Sequence, residues 1–364
     1  MPDKVRIGLI GAGVRGTWSA RSHLPAARAS ADVELTAVCT TRADSAEAAR
    51  RAYGARLAFD DWRKLVASPE VDAVAVVVRV PSHYEPAKAA LQAGKHVYCE
   101  WPLGRTTAEA VELAELAKAN RLVTAVGLQA RANPAVMHMK ELIASGYIGE
   151  TMAVHVSLMR EGVLSRPSHR MWQREAELGA NTLTIANGHT TDAMRFVAGE
   201  FARLSAVVST RAKQWLDTGL NQWFDVTSPD NILINGELAN GAVASVHIAA
   251  IPYAGSGYRM EIYGREGTLI ASGEDSPQLR EVTLHGAQGD NTLAPLAVPD
   301  RFTVASRDTP AGEAFNVGQV YTLFARAIRG ESAEQPDFAT AVELHRLIDA
   351  IKQSSDSGLR VAVG

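Results

Sequence analysis

The chain has 364 residues, enough for two domains with well-buried cores. Its 37 basic and 40 acidic side chains leave a formal charge of −3, with no basic tract or basic–aromatic stripe, which argues against direct nucleic-acid binding. The two cysteines, Cys39 and Cys99, fall in strand-like runs and read as reduced core thiols. No apolar run reaches the ~18 residues of a membrane span, and no signal-peptide pattern precedes the first strand, so the expectation is a soluble cytoplasmic protein.

The first apolar run, Val5-Arg6-Ile7-Gly8-Leu9-Ile10, leads directly into Gly11-Ala12-Gly13-Val14-Arg15-Gly16. That order predicts a buried strand, a tight glycine turn and a helix start, the arrangement that brings a dinucleotide pyrophosphate onto backbone amides. In this reading Gly11 permits the turn, Gly13 lets the phosphates come close, and Gly16 lets the helix pack on the strand. The helix N-terminus adds unpaired N–H donors and a positive dipole end.

A second strand spans Val33–Cys39 and ends in Thr40-Thr41-Arg42. An NAD-selective site carries an Asp or Glu there for the ribose hydroxyls. Threonine hydroxyls and an arginine fork suit a 2′-phosphate instead, so NADP is expected over NAD, with a solvated loop arginine as the alternative. Further on, the pattern predicts a helix over 45–53, a β-branched strand over 71–78, a helix over 85–92 stopped by Gly94, and a strand at 96–99. A helix over 107–120, opened by Thr106, and a strand over 122–126 follow. Asp60-Asp61 reads as a helix start or a solvated pair. Alternating strands and helices of this size predict a parallel, doubly wound sheet in a first domain, 1–126.

Glu100-Trp101-Pro102 follows the strand at 96–99, at the carboxyl edge of the sheet where ligands of open α/β folds bind. Pro102 restricts Trp101 to an extended or turn conformation, and a packing corner is the plain alternative to a binding role.

The remainder, 127–364, has a different texture. A helix over 133–145 precedes longer alternating runs at 151–158, 202–210, 231–238, 242–251, 259–263, 268–271 and 281–284, separated by hairpin-like breaks. These predict a large, mainly antiparallel open sheet, with helices at 317–329 and 338–354 covering part of it. In the stretch 179–192, a helix would set His189 and Asp192 on one face at i, i+3 spacing. A histidine there suits general acid–base work, and a core histidine bonded to a carbonyl is the alternative. Nothing matches a metal-ligand spacing or a serine nucleophile elbow.

Gly11-Ala12-Gly13, Ala93-Gly94-Lys95-His96-Val97 leading into Glu100-Trp101-Pro102, Gly127-Leu128-Gln129-Ala130-Arg131, Ile148-Gly149-Glu150, Gly188-His189 with Asp192, and Tyr263-Gly264-Arg265-Glu266-Gly267 together resemble the glucose–fructose oxidoreductase/inositol dehydrogenase/rhizopine-catabolism family along nearly the whole chain. The resemblance implies an N-terminal Rossmann domain, a C-terminal α/β domain used for homodimer or homotetramer formation, and NAD(P)-linked chemistry on sugars, inositols and related polyols. It implies cofactor contacts from Gly11, Gly13, Val14, Arg15, Gly16, Thr40, Thr41, Arg42, Pro81, His83, Glu100, Trp101, Pro102 and Gln129. It makes His189 the catalytic acid–base, with Trp101, Asn181, Asn187 and His189 facing the substrate; Tyr84 and His83 are further candidates for orienting hydroxyls. Two family positions differ: Trp101 stands where a lysine is usual, and Ile185 where an aspartate is usual. Both changes match the branch that resembles the fungal galactose-regulon repressor, which acts through a protein partner. An oxidoreductase and a non-catalytic dinucleotide-binding sensor are therefore the two functional expectations.

Overall fold

The computed structural model describes residues 4–363, and it divides into two compact units, one formed by residues up to 132 with 303–343, the other by 133–302 with 344 onward. The first unit begins with β1 (Val5–Ile10), α1 (Trp18–Arg21), α2 (His23–Ala29), β2 (Val33–Cys39), α3 (Ala43–Tyr53) and β3 (Leu57–Phe59). It continues through α4 (Trp62–Val66), β4 (Ala73–Val76), α5 (Tyr84–Gln92), β5 (His96–Cys99), α6 (Thr107–Ala119) and β6 (Thr124–Val126). All strand pairs are parallel, in the order β3-β2-β1-β4-β5-β6. The order reverses between β1 and β4, which is where open parallel sheets bind ligands beyond their carboxyl ends.

Ile7, Leu9, Val74 and Val97 are fully buried, as expected for strands covered on both faces. The strand predicted over 71–78 contracts to β4, although the Val77 N–H still donates to the Ile10 carbonyl. The short elements β3 and α4 escaped the sequence pattern: three half-buried residues and a five-residue helix carry too little periodicity. The Asp61 carboxylate accepts the Arg63 N–H and caps α4, so Asp60-Asp61 is a helix start. Cys39 and Cys99 are buried free thiols, and burial pushes the Cys39 thiol up to about 12.

The second unit opens with α7 (Pro134–Ala144), β7 (Thr151–Arg160), β8 (Ser165–Arg166), α8 (Asn187–Ala198) and β9 (Phe201–Ser209). Then come β10 (Gln214–Asp217), β11 (Gln222–Asp225), β12 (Asn231–Leu238), β13 (Val243–Ala250), β14 (Gly257–Gly264), β15 (Gly267–Gly273), β16 (Thr283–Gln288) and β17 (Ala294–Pro295). The last elements of the chain are α9 (Glu313–Ile328), α10 (Phe338–Ser357) and β18 (Val361–Ala362). Nine strands form one sheet in the order β17-β16-β15-β14-β7-β13-β12-β9-β18, antiparallel except between β7 and β13. Val154, Val156 and Leu158 of β7 point to the face covered by α7 and α8, and His155 points to the other. That other face carries Val207, Leu233, Val243 and Tyr263, all exposed, among polar residues such as His155 and Arg259. A separate small sheet joins β11, β10 and β8.

The late helices correct one expectation. Helix α9 does not cover the antiparallel sheet; it packs on α2 and β2 of the first unit, where Val317, Val320, Tyr321 and Phe324 share a core with Ile7 and Leu9. Its apolar face is compatible with either sheet, so its partner was invisible to periodicity. The C-terminal end of α10 does meet the large sheet, because the Ser354 and Ser355 hydroxyls accept the Ala206 and Val208 N–H groups of β9.

Candidate functional site

The glycine turn leaves β1 at the sheet's switch point. Gly11 has φ +97°, and a Cβ there would stand 2.1 Å from the Val77 carbonyl oxygen just past β4, so only glycine fits. The Gly11 and Ala12 N–H groups donate to the Cys39 carbonyl at 2.9 and 3.1 Å, which closes the turn over the end of β2. The reason for Gly13 lies inside the turn: a Cβ would meet the Thr17 side chain at 2.6 Å, and the Thr17 hydroxyl donates to the Gly13 carbonyl. Gly16 does not pack a helix on the strand. It lies two residues before α1, has φ +65°, and has open space where a Cβ would point, so it serves the backbone conformation. Helix α1 has only four residues, which makes its dipole a smaller contributor than the sequence pattern implied. Val14 is half-buried and Arg15 and Gly16 are exposed, leaving the outer side of the turn open to a ligand.

At the end of β2 the Thr40 hydroxyl donates to the Arg42 carbonyl and shares a 2.6 Å bond with Ser45, which shapes the loop into α3. The Arg42 guanidinium pairs with Asp44 through two bonds of 2.9 and 3.1 Å, both side chains well exposed. Hydrogen bonding to Arg42 holds the Asp44 carboxyl below its ordinary range. The loop is therefore not free of carboxylate, contrary to the reading of Thr40-Thr41-Arg42 alone. An exposed pair of this kind is worth little, so Arg42 can exchange Asp44 for a phosphate at small cost.

The segment after β5 is held by buried bonds. The Glu100 carboxylate accepts His23 Nε2 at 2.7 Å and Gln129 Nε2 at 2.8 Å. His23 Nδ1 meets the Tyr321 hydroxyl at 2.8 Å, and Gln129 also donates to Tyr98. The buried ring and the nearby Glu100 charge push the Tyr98 hydroxyl far up, and the same two causes act on Tyr321. Glu100 and Gln129 thus position one another and the β5 end through the Gln129 amide N–H, while the buried Gln129 Oε1 is without a partner. His23 and Tyr321 were missed in the sequence because they lie 298 residues apart.

His83 is fully buried in the same region. Its ring nitrogens lie 2.7 Å from the Pro102 carbonyl and 3.0 Å from the Val78 carbonyl, and burial lowers its pKa. Both nitrogens are committed to the main chain, so His83 clamps the Pro81 segment to Trp101-Pro102 and does not orient a substrate hydroxyl. Trp101 is only 4% exposed, so its indole is a packed group and not an open wall. The Trp101–Pro102 peptide is cis. The Tyr84 hydroxyl is taken by Glu112 on α6.

In the second unit, Asn181 caps a wide π-type turn, Thr182–Ala186, through a reciprocal pair of bonds with Thr184. Helix α8 follows directly and is buried along almost its whole length, so His189 and Asp192 do share a helix face. His189 is 5% exposed. Asp192 is an ion-pair partner of Arg195, which also binds Glu200. Asn187 is fully buried and bonds the Leu183 carbonyl and the Thr191 hydroxyl of its own segment, so it is a structural residue and not a substrate contact. Asn181 and Ile185 line a cavity of the second unit together with Arg166, Arg170 and Trp215. No sequence signal marks Arg166 or Trp215, because β8 and β10 meet only in the small sheet, and Arg170 lies in the irregular turn that follows β8.

Two family models match the chain. Residues 5–128 match "Oxidoreductase family, NAD-binding Rossmann fold", and residues 140–363 match "Oxidoreductase family, C-terminal alpha/beta domain". The chain belongs to the GFO/IDH/MocA oxidoreductase family. Its relatives include the dehydrogenase aclE of Aspergillus oryzae, 30% identical over 89% of this chain and 88% of that protein. The levoglucosan dehydrogenase of Pseudarthrobacter phenanthrenivorans is 28% identical over 85% of this chain and 84% of its own length. The galactose/lactose metabolism regulatory protein GAL80 of Saccharomyces cerevisiae is 26% identical over 66% of this chain and 59% of that protein, in line with the repressor-like branch. Among solved structures, an NAD binding oxidoreductase from Klebsiella pneumoniae superposes with a TM-score of 0.87 at 27% identity over the whole of both chains.

Proposed function

We propose that the protein transfers a hydride between a nicotinamide dinucleotide, NADP in preference to NAD, and a CH–OH or carbonyl group of a sugar-like or otherwise polar small molecule. One observation carries this reading: a glycine turn that tolerates no Cβ at Gly11 sits at the switch point of a parallel sheet, in a chain of an NAD-binding oxidoreductase family. The residues present fit a dinucleotide, because the outer side of the turn is open at Arg15 and Gly16 and Arg42 is poised at the end of β2. When bound, the nicotinamide supplies or accepts the hydride. The chain's own tasks are to hold the phosphates with the turn, to meet a 2′-phosphate with Arg42, Thr40 and Thr41, and to exchange a proton with the substrate oxygen through His189.

The free, buried thiols suit a reducing, cytoplasmic setting. The exposed apolar residues of the large sheet's open face suit self-association as a homodimer or homotetramer. A second reading is a dinucleotide-binding sensor that works through a protein partner. It is favoured by Trp101 and Ile185 at the two positions where the family usually has a lysine and an aspartate, and by the kinship with the GAL80 regulator. Fluorescence titration with NADPH and NADH, followed by turnover against a panel of carbonyls and polyols, separates the two. Binding with turnover supports the oxidoreductase, and tight binding with none supports the sensor.

A further inference from the structure

The cavity in the second unit is unusual in its charge. It is small, partly open to solvent and lined by side chains of the second unit alone. Three arginines reach it: Arg160, Arg166 and Arg170. Arg160 is neutralised by Asp275, with a closest approach of 2.6 Å. Arg166 differs. Its guanidinium donates to the main-chain carbonyls of Gly162 and Ser165, lies over the Trp215 ring at 4.5 Å, and leaves its buried Nε with no hydrogen-bond partner. The buried Trp215 Nε1 on the same cavity is also without a partner. Two unpartnered buried donors at one wall call for an acceptor that the protein does not contain.

The electrostatics agree. Burial, together with the Arg170 and Arg160 charges, brings Arg166 down to about 10, a cost that an anion between these groups would relieve. Ile185 lines the same cavity at the position where the family usually carries an aspartate, so no carboxylate stands there to compete with a bound anion. Arginine forks bind carboxylate and phosphate through paired, charge-assisted bonds, which neutral hydroxyls cannot match.

We propose that this cavity binds the oxyanionic group, carboxylate or phosphate, of a polyhydroxylated small molecule, held by Arg166 and Arg170 with the Trp215 N–H. The inference rests on the oxidoreductase reading only in taking that molecule to be the substrate; the binding itself requires no turnover. The cavity wall leads into α8, with Ile185 one turn before His189, so an acid held there lies beside the helix that carries the proposed acid–base.

The test is calorimetric titration of the intact protein with D-glucuronate, D-glucose 6-phosphate and D-glucose. At least one of the two acids is expected to bind ten-fold or more tightly than glucose, and which one does so distinguishes a carboxylate from a phosphate source. Arg166→Gln is expected to abolish that preference. Arg170→Gln, at an exposed position, is expected to weaken it several-fold, with the thermal transition as the control for folding. Equal binding of glucose and both acids, no binding of either acid, or an unchanged preference in Arg170→Gln overturns the proposal. If the acids bind and no hydride transfer occurs, the anion site stands and the redox reading fails.

Discussion

Single residues carry the turn geometry, the proposed cofactor choice and the proposed proton transfer. Arg42 is bound to Asp44 on the surface, and a 2′-phosphate has to draw it away from that partner. Replacing Arg42 with Asp is expected to weaken NADPH binding and improve NADH binding; equal affinities for the two cofactors in the unmutated protein would contradict the NADP preference. At Gly11, an alanine must hold φ near +97° with its Cβ pressed on the Val77 oxygen. Strain of that kind costs roughly 1–3 kcal/mol, more if the backbone must move, so Gly11→Ala is expected to lower the urea midpoint and to weaken dinucleotide binding together. His189 is the titratable side chain proposed to exchange the substrate proton. His189→Asn is expected to reduce turnover on the order of 10²–10⁴-fold while NADPH affinity changes little, since the phosphate contacts lie elsewhere. Undiminished turnover in this variant would remove the acid–base role.

At the scale of elements, the first unit depends on a polar knot. Glu100 at the end of β5, His23 on α2, Gln129 and Tyr321 on α9 bond one another in the buried interior. Truncating Glu100 to Ala leaves two buried donors without their acceptor, an expected loss of roughly 3–5 kcal/mol in urea unfolding. Tyr321→Phe removes a single bond and is expected to cost about 1 kcal/mol. Similar losses in the two variants would mean that the knot is not organised around the carboxylate.

The elements themselves were legible in proportion to their length and pattern. Strand β12 follows its alternation from Asn231 to Asn235, and β1 with its glycine turn was clear because apolar run and turn chemistry agree. The short β3, α4 and β8 were not legible, and the side on which α9 packs is a tertiary choice that an amphipathic pattern leaves open. The same holds for the candidate site. The turn, Arg42 and the α8 histidine were found from local motifs, but the bonds that tie His83 and Asn187 to main-chain carbonyls, and Gln129 to Glu100 and Tyr98, were not. Those bonds join residues far apart in the chain or reuse a helix's own carbonyls, and neither leaves a mark in the residue pattern. The arginine cavity was missed for the same reason, since it is assembled from β7, β8, β10 and the turn before α8.

For the whole molecule, the nine-stranded sheet has one face covered by α7 and α8 and one that exposes Val207, Leu233, Val243 and Tyr263. An exposed face of this extent favours association. Light scattering at micromolar concentration is expected to give a dimer or tetramer mass, and Leu233→Glu to shift it toward the monomer. A monomer in the unmutated protein would remove the case for that interface.

Hydride transfer is the most direct test of the central claim. The protein, loaded with NADPH, is mixed with sugar-derived carbonyls, neutral and acidic, and the dihydronicotinamide absorbance is followed under multiple-turnover conditions. The expected result is saturable, substrate-dependent loss of that absorbance, requiring higher NADPH in Gly11→Ala and strongly slowed by His189→Asn. Stoichiometric dinucleotide binding with no loss of absorbance for any carbonyl, and no gain from NADP with the matching alcohols, would contradict the enzyme and leave the sensor.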